Sequence, residues 1–327
     1  MPQQEKYVPD NGVAVFSPYG YQRLQSQANG SFYFYSDICD DVLINNKWMI
    51  DYIWESGDYF YIAGNTVYRK GFDGVEKASL VLDGPVSVAA VQPLVPLEAN
   101  QVSSDEVATG CWISDAIGRR LVRTDSNLTE IKEIINMGLP SILIGCPDGG
   151  CYIFDDGHET IYKVTANAKI EGRIAYSDIY INNSSEILSA DSDIANCLWV
   201  VHGYSVKKIT LKNGRLSYTF EKQMITSLSL GSGYVSDLSV EKSITRDSVY
   251  VTGCYIGGSW IAKLNLNGSV AAYNPYLSGI CPTIVKASQW GYSDCIYLVS
   301  EDSDYLPDEC EISSSSSSLD NSSSSSS

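Results

Sequence analysis

At 327 residues, with 44% apolar and only 19% charged side chains, the chain can bury a large core, and β-barrels and propellers of this length fold as one unit. Its 39 acidic residues outnumber 22 basic ones for a net charge of −17, without one run of Lys or Arg, which makes nucleic acid and anionic membranes poor partners. The longest apolar-rich stretch, residues 86–97, is interrupted by Gln92, Pro93 and Pro96 and falls far short of the ~20 residues that cross a bilayer, so no membrane insertion is expected.

Residues 1–7 lack a charged segment followed by an apolar one, so synthesis in the cytoplasm without a signal peptide is expected. Residues 1–11 read as an extension. Two strands are predicted at 12–18 and 21–27, around Tyr19-Gly20. A four-strand unit follows, with strand A at 48–54, strand B from Asp58, strand C at Val67-Tyr68-Arg69, a turn at Asp73-Gly74 and strand D at 75–82. Further A strands are predicted at 86–91, 141–144, 236–240 and 282–285, and a further D strand at 128–134. The 23 Tyr against 7 Phe suit such half-buried strands, because Tyr pairs an apolar ring with a hydroxyl that can stay wet.

Cysteine marks the repeat. Cys111, Cys151, Cys197, Cys254 and Cys295 each open a short aromatic and β-branched run, read as strand B, at intervals of 40, 46, 57 and 41 residues. The shorter intervals match a four-stranded propeller blade of about 40–45 residues. Each of the first four cysteines is followed by a base closing a strand C, at Arg123, Lys163, Lys208 and Lys263, with separations of 12, 12, 11 and 9 residues. In the first copy Asp58 stands in the cysteine's place and Arg69 is the base. Asp73-Gly74, Asn213-Gly214 and Asn267-Gly268 then suit tight hairpins, and Ser126-Asn127 and Ala166-Asn167 occupy the same place in the other copies. The last copy stops after strand B, and the two N-terminal strands offer its missing half. The expected fold is therefore all-β: a six-bladed β-propeller of four-stranded antiparallel blades over residues 12–305, closed by N- and C-terminal strands in one blade.

The string Trp260-Ile261-Ala262-Lys263-Leu264-Asn265-Leu266-Asn267-Gly268 resembles the strand C–turn–strand D pattern of the NHL, YVTN and TolB-like propeller superfamily. The resemblance spans roughly residues 12–305 at the level of the repeat, and it implies fold rather than function. WD-repeat propellers match less well, since no Gly-His or Trp-Asp pair recurs. Residues 306–327 hold two runs of six Ser around Leu319-Asp320-Asn321 and read as a flexible tail or linker. Insertions rich in Ser, Asn, Asp and Gly at 176–195 and 226–246 read as loops on the ring's faces, where propellers bind.

Equivalent positions in successive blades lie about 10 Å apart, beyond disulfide reach, so the five repeat cysteines are expected as buried thiols. Cys146 and Cys151, flanking Pro147-Asp148-Gly149-Gly150, form the one plausible local bridge; Cys39, Cys281 and Cys310 have no evident partner. His158 and His202 fall near turns between strands B and C of adjacent blades, where they could bind a metal with Asp155 and Asp156 or simply face solvent; solvation is the preferred reading. Asp155-Asp156-Gly157 is too short for a calcium loop. Ser114-Asp115-Ala116-Ile117-Gly118 does not fit the sialidase box, and neither a Gly-x-Ser-x-Gly elbow nor a phosphate-cradling glycine loop is present. No catalytic residue, cofactor site or metal site is assigned. The function expected is a non-catalytic binding or structural module that engages a protein or glycan through its face loops, as part of a larger assembly or longer polypeptide. The Tyr-rich, low-charge, Ser-tailed composition resembles virion or phage-tail accessory proteins. Alternatives are a propeller hydrolase or lyase acting on a glycan or lactone through strand-A carboxylates, and a cytoplasmic scaffold.

Overall fold

The computed structural model describes residues 12–17, 20–26, 32–38, 47–53, 58–71, 75–91, 109–242, 247–255, 258–277, 282–287 and 296–300. The poly-Ser tail, residues 1–11, the Asp73-Gly74 turn, Cys39, Cys281, Cys295 and Cys310 lie outside them. Five four-stranded antiparallel sheets follow one another along the chain. Blade 1 comprises β4 (Ile50–Ile53), β5 (Asp58–Ala63), β6 (Thr66–Lys70) and β7 (Glu76–Val81), and blade 2 comprises β8 (Pro85–Val91), β9 (Gly110–Asp115), β10 (Arg120–Thr124) and β11 (Glu130–Ile134). Blade 3 holds β12 (Pro140–Gly145), β13 (Cys151–Asp155), β14 (Thr160–Val164) and β15 (Ile170–Ala175). Blade 4 holds β16 (Ile187–Ser192), β17 (Leu198–His202), β18 (Ser205–Lys212) and β19 (Arg215–Gln223). Blade 5 follows a single helical turn, α1 (Met224–Ser227), with β20 (Gly233–Lys242), β21 (Asp247–Tyr255), β22 (Gly258–Asn265) and β23 (Val270–Leu277).

A sixth sheet joins the two ends of the chain. Its order is β24 (Pro282–Ala287), β25 (Ile296–Ser300), β1 (Gly12–Ser17), β2 (Gly20–Ser26) and β3 (Phe32–Ile38). It departs from the expected closing blade in two ways. It has a fifth strand, β3, and β1 runs parallel to β25, with Val13 opposite Ile296. The insertions also needed correction. Residues 176–195 are not all loop, because they contain β16, which is strand A of blade 4, whereas residues 226–246 contain the strand expected at 236–240, which is β20. The loops proper are 176–186 and 224–232. Ile187 and the Leu-Ser-Ala-Asp-Ser that follows alternate weakly, which hid a strand among polar residues.

Burial explains why each strand has its composition. Strand B is covered on both faces, and every residue of β9 and β13 is buried, so these strands read as continuous Cys, Trp, Tyr and Ile runs. Strand D is the outer edge. β7 and β11 alternate between exposed and half-buried positions and carry Glu76, Lys77, Glu130, Lys132 and Glu133, charges that keep an open edge from pairing with another chain. The A strands β4, β8, β12, β16, β20 and β24 pack in succession, each against the next. Their unpaired backbone groups are capped by side chains from the neighbouring A strand. Ala90 N donates to Asp51 at 2.8 Å, Leu143 N to Ser87 Oγ at 3.0 Å, and Val240 N to Asp191 at 2.8 Å.

The true register of the repeat is an aromatic residue on strand B facing a base on strand C. The pairs are Phe60–Arg69, Trp112–Arg123, Tyr152–Lys163, Trp199–Lys208 and Tyr250–Lys263. In the last four the cation sits 4.6–5.7 Å from the ring centroid. An acid neutralises three of the bases: Asp58 for Arg69 at 2.6 Å, Asp148 for Lys163 at 2.8 Å and Asp193 for Lys208 at 3.0 Å. Against this register the cysteines are uneven. Cys111 and Cys151 immediately precede the aromatic, Cys197 lies just before β17, and Cys254 sits at the far end of β21, five positions from where the repeat would put it. Its separation of nine residues from Lys263 was the sign of that misfit. Cys254 is disulfide-bonded, so the expectation of a free thiol there is overturned. Cys111, Cys146, Cys151 and Cys197 are free, so the Cys146–Cys151 bridge does not form.

Candidate functional site: the loop end of blade 4

Antiparallel connection sends the B–C turns and the loops between blades to one end of the molecule, and the A–B and C–D connections to the other. At the second end each of blades 1–4 is latched to the next. Arg69 donates to Ser126 O at 2.8 Å, Trp112 Nε1 to Gly149 O at 3.0 Å, Tyr152 Oη to Asn196 O at 2.6 Å and Lys208 Nζ to Leu266 O at 3.3 Å, each from one blade to a turn of the next. The first end is where the repeat is broken.

The last residue of strand B makes the difference visible. Asp115, Asp155 and His202 occupy the same register position, opposite the first residue of strand A and the first residue of strand C in their own blades. Asp115 and Asp155 are wholly buried. Asp115 accepts from Gly84 N and Gly118 N, and pairs with Arg120 at 3.1 Å. Asp155 accepts from Gly138 N at 2.8 Å and Leu139 N at 2.6 Å, as well as from the amides of Gly157 and His158 in its own turn. In both blades the carboxylate pins the incoming loop to the B–C turn.

Blade 4 puts His202 there instead, and a longer loop. Residues Tyr176–Ile179 form a short 3-10 turn that ends in Tyr180 with left-handed φ of 59°, and a second turn, Ser184–Glu186, is capped by Asn183, whose side chain accepts from Ser185 N. Four anchors hold this loop. Asp156 takes Tyr176 Oη at 3.1 Å and both Ser184 N and Ser184 Oγ, at 2.7 and 2.5 Å. Glu186 meets His202 Nε2 at 3.2 Å, and Lys207 Nζ donates to Ile179 O at 2.7 Å. Lys207 also donates to His202 Nδ1 at 3.0 Å, which assigns the ring proton to Nε2. On the other side Glu221 accepts from the hydroxyls of Ser205 and, at 2.8 Å, Tyr218.

The electrostatics follow from these contacts. Burial, then the Lys207 ammonium, pulls the His202 imidazole below its ordinary value, against the opposing pull of Glu186. Burial likewise lowers Lys207. Hydrogen bonds from Asn182 hold Glu186 below the usual carboxylate range, and the Ser205 hydroxyl does the same for Glu221. With one nitrogen on Glu186 and the other on Lys207, His202 has no ring nitrogen spare to take a proton from a substrate. It acts as a clasp.

The structure therefore separates the groups that the sequence could have joined in a metal site. His158 Nδ1 pairs with Asp155 at 2.9 Å, His202 pairs with Glu186, and Asp156 is committed to the loop. Among the described residues no three metal-ligating side chains converge. Of the strand-A carboxylates, Asp51 and Asp191 serve as caps for the neighbouring A strand. Sequence reasoning passed over Lys207, Glu186 and Tyr180. One signal was present: Lys207-Lys208 places two bases in succession on strand C, and strand alternation sends them to opposite faces, so one of them had to be accounted for apart from the repeat.

This end of the molecule also carries most of the exposed apolar side chains. Among the described residues twelve large apolar side chains are exposed, and eight of them lie at this end. Ile117 and Tyr204 are in B–C turns, Ile135, Leu139 and Tyr180 in loops between blades, and Val81, Leu188 and Tyr234 at the strand ends beside them. Tyr180 is 73% exposed and Tyr204 57%.

The same architecture is found in solved structures. BBS1N, crystallised in complex with ARL6DN, is similar over 89% of this chain and 91% of that one, with a TM-score of 0.56 and 12% identity. A protein from Lactobacillus plantarum is similar over 84% and 83%, with a TM-score of 0.51 and 8% identity. The chain is a β-propeller. A streptogramin B lyase is similar over 85% and 88% at a TM-score of 0.48 and 12% identity. At these identities the likeness is one of fold alone. No family model matches the chain, and no curated protein matches its sequence.

Proposed function

We propose that this propeller is a non-catalytic module that binds a protein partner through the end bearing the B–C turns and interblade loops, with the 176–186 loop of blade 4 as its anchor. The observation that carries the reading is the gathering of exposed apolar side chains at that end, eight of twelve, with Tyr180 among them on a loop fixed by four anchors. Monomeric surfaces seldom gather apolar side chains without a partner to cover them. A rigid Tyr offers large amphipathic contact area with little ordering cost, and the Ser and Asn beside it adapt their hydrogen bonds. Left-handed backbone at a Tyr costs about 1–2 kcal/mol, an expense tolerated where a side chain must be presented outward. BBS1N, a propeller in complex with a partner protein, is a precedent for this use of the fold. In this reading the six sheets close as a six-bladed ring, the superfamily kinship rests on the repeat strings, and a place in a virion or phage tail rests on composition alone.

The test is co-purification from the native source. Alanine at Tyr180 and Tyr204 should abolish retention of the partner, whereas alanine at Ile131 and Ile170, near the opposite end, should leave it unchanged. Equal retention by both variants contradicts the reading, and so does turnover of a glycan or lactone that is lost on replacing Asp51 or Asp191.

A further inference from the structure

We infer that the partner segment seated on the blade 4 end is basic: a Lys- or Arg-bearing stretch of protein that lays its aliphatic stems along Tyr180 and Tyr204 and its charged heads against Asp178, Glu186 and Glu221. The inference rests on the binding reading above and adds the chemistry of the partner.

Three observations support it. First, the segments that build this surface, residues 176–186, 203–204 and 224–232, contain no Lys or Arg, but they do contain Asp178 and Glu186. Secondly, the carboxylates are held charged by neutral donors. Glu186 is fixed by Asn182 N at 3.0 Å and Asn182 Nδ2 at 2.6 Å, and Glu221 by hydroxyls and by Gln223 Nε2 at 2.9 Å. A carboxylate fixed by amides and hydroxyls keeps its full charge for an incoming cation, whereas those of blade 2, Glu130 and Glu133, already share a cation, the Arg120 guanidinium, at 3.3 and 3.1 Å. Of the nearby cations, Lys207 is buried beneath Tyr180 and spent on Ile179 O and His202, and Lys222, next to Glu221, is half-buried. Thirdly, the whole chain carries −17, so its long-range field draws a basic partner and repels an acidic one.

An exposed aromatic side chain next to an unneutralised carboxylate is complementary to Lys and Arg, whose stems are apolar and whose heads are cationic. The protein uses the same combination internally, where a strand-C base lies over a strand-B ring and meets an acid, as Lys208 does with Trp199 and Asp193.

The experiment is selection of displayed random peptides on the full chain, with counter-selection on a Tyr180→Ala, Tyr204→Ala variant. Selected peptides are then titrated against wild type, Asp178→Asn, Glu221→Gln and a Glu130→Gln, Glu133→Gln control. The expected result is peptides rich in Lys and Arg, whose affinity falls about tenfold with the two face substitutions combined and about tenfold from low to high salt, and is unchanged by the control. Site-dependent peptides that are neutral or acidic would overturn the basic-partner inference and leave the binding face standing. Peptides that lose affinity equally to the control would show mere attraction to net charge and overturn it as well. A selection that yields no peptide sensitive to Tyr180 and Tyr204 would overturn the binding face itself.

Discussion

Blades 3 and 4 are neighbours with the same four-strand order, an aromatic–base pair between strands B and C, and a hydrogen bond from that pair to a turn of the next blade, and they differ most at the other end. Blade 3 closes its strand B with Asp155, buried and saturated by backbone amides, over a short connection. Blade 4 closes it with His202, a quarter exposed, over a longer loop that carries Tyr180 outward. The repeat supplies the frame, and departure from the repeat supplies the surface. A position that is structural in one blade becomes adaptable in the next once a second acid, Glu186, takes over part of its work.

The comparison predicts unequal costs at the shared position. Asp155→Ala empties a buried position and leaves four backbone amides without their acceptor, and should lose about 3 kcal/mol of stability in denaturant unfolding. His202→Gln keeps a donor and an acceptor at a partly solvated site and should lose about 1 kcal/mol. Equal losses would mean that the two positions do the same work.

The pH dependence should sharpen the contrast. The folded value of His202 is lowered, so the unfolded chain takes up its proton first as pH falls. Its contribution to stability is therefore fully present above the ordinary histidine value of about 6.5 and is lost as pH drops below it. Melting curves of wild type and His202→Gln should converge as the pH is lowered from 8 towards 5. Parallel curves would show that neither burial nor Lys207 opposes protonation of the ring.

Cys151 and Cys197 give a smaller test in the same two blades. Both are free, Cys151 wholly buried and Cys197 half-buried. Burial raises the Cys151 thiol well above its ordinary value and the Cys197 thiol to about 11. A thiol reagent at mildly alkaline pH should label Cys197 faster than Cys151 in folded protein, as read by peptide mass. The reverse order would place the strands in the wrong register.

The sequence revealed the blades because their strands B and C obey one pattern, an apolar run followed by a base, and burial on both faces leaves little freedom in it. It misled at Cys254, where a cysteine in a similar tripeptide lies at the other end of its strand, and at β16, whose Ser and Asp residues face the neighbouring A strand rather than solvent. The turns show the same limit. Asn213 and Gly214 take the positive φ that their types suggest, at 51° and 73°, and Gly268 does so at 81°, but at Ser126-Asn127 and Ala166-Asn167 that conformation falls to Leu128 and Ala168, one residue past the expected pair. The clasp was hidden for a different reason. Glu186, His202 and Lys207 come from a loop and two strands, and only packing brings them together.

The central claim is that blade 4 presents Tyr180 on a loop that is formed before any partner arrives. Amide hydrogen exchange of the free protein tests it directly. The amides of Ile181, Asn182, Ser184 and Glu186 are bonded to Tyr176 O, the Glu186 carboxylate, the Asp156 carboxylate and Asn183 O. They should exchange far more slowly than an unfolded chain, with protection that survives Tyr180→Ala and falls in His202→Gln. Exchange of these amides at unfolded-chain rates in the wild-type protein would contradict the account.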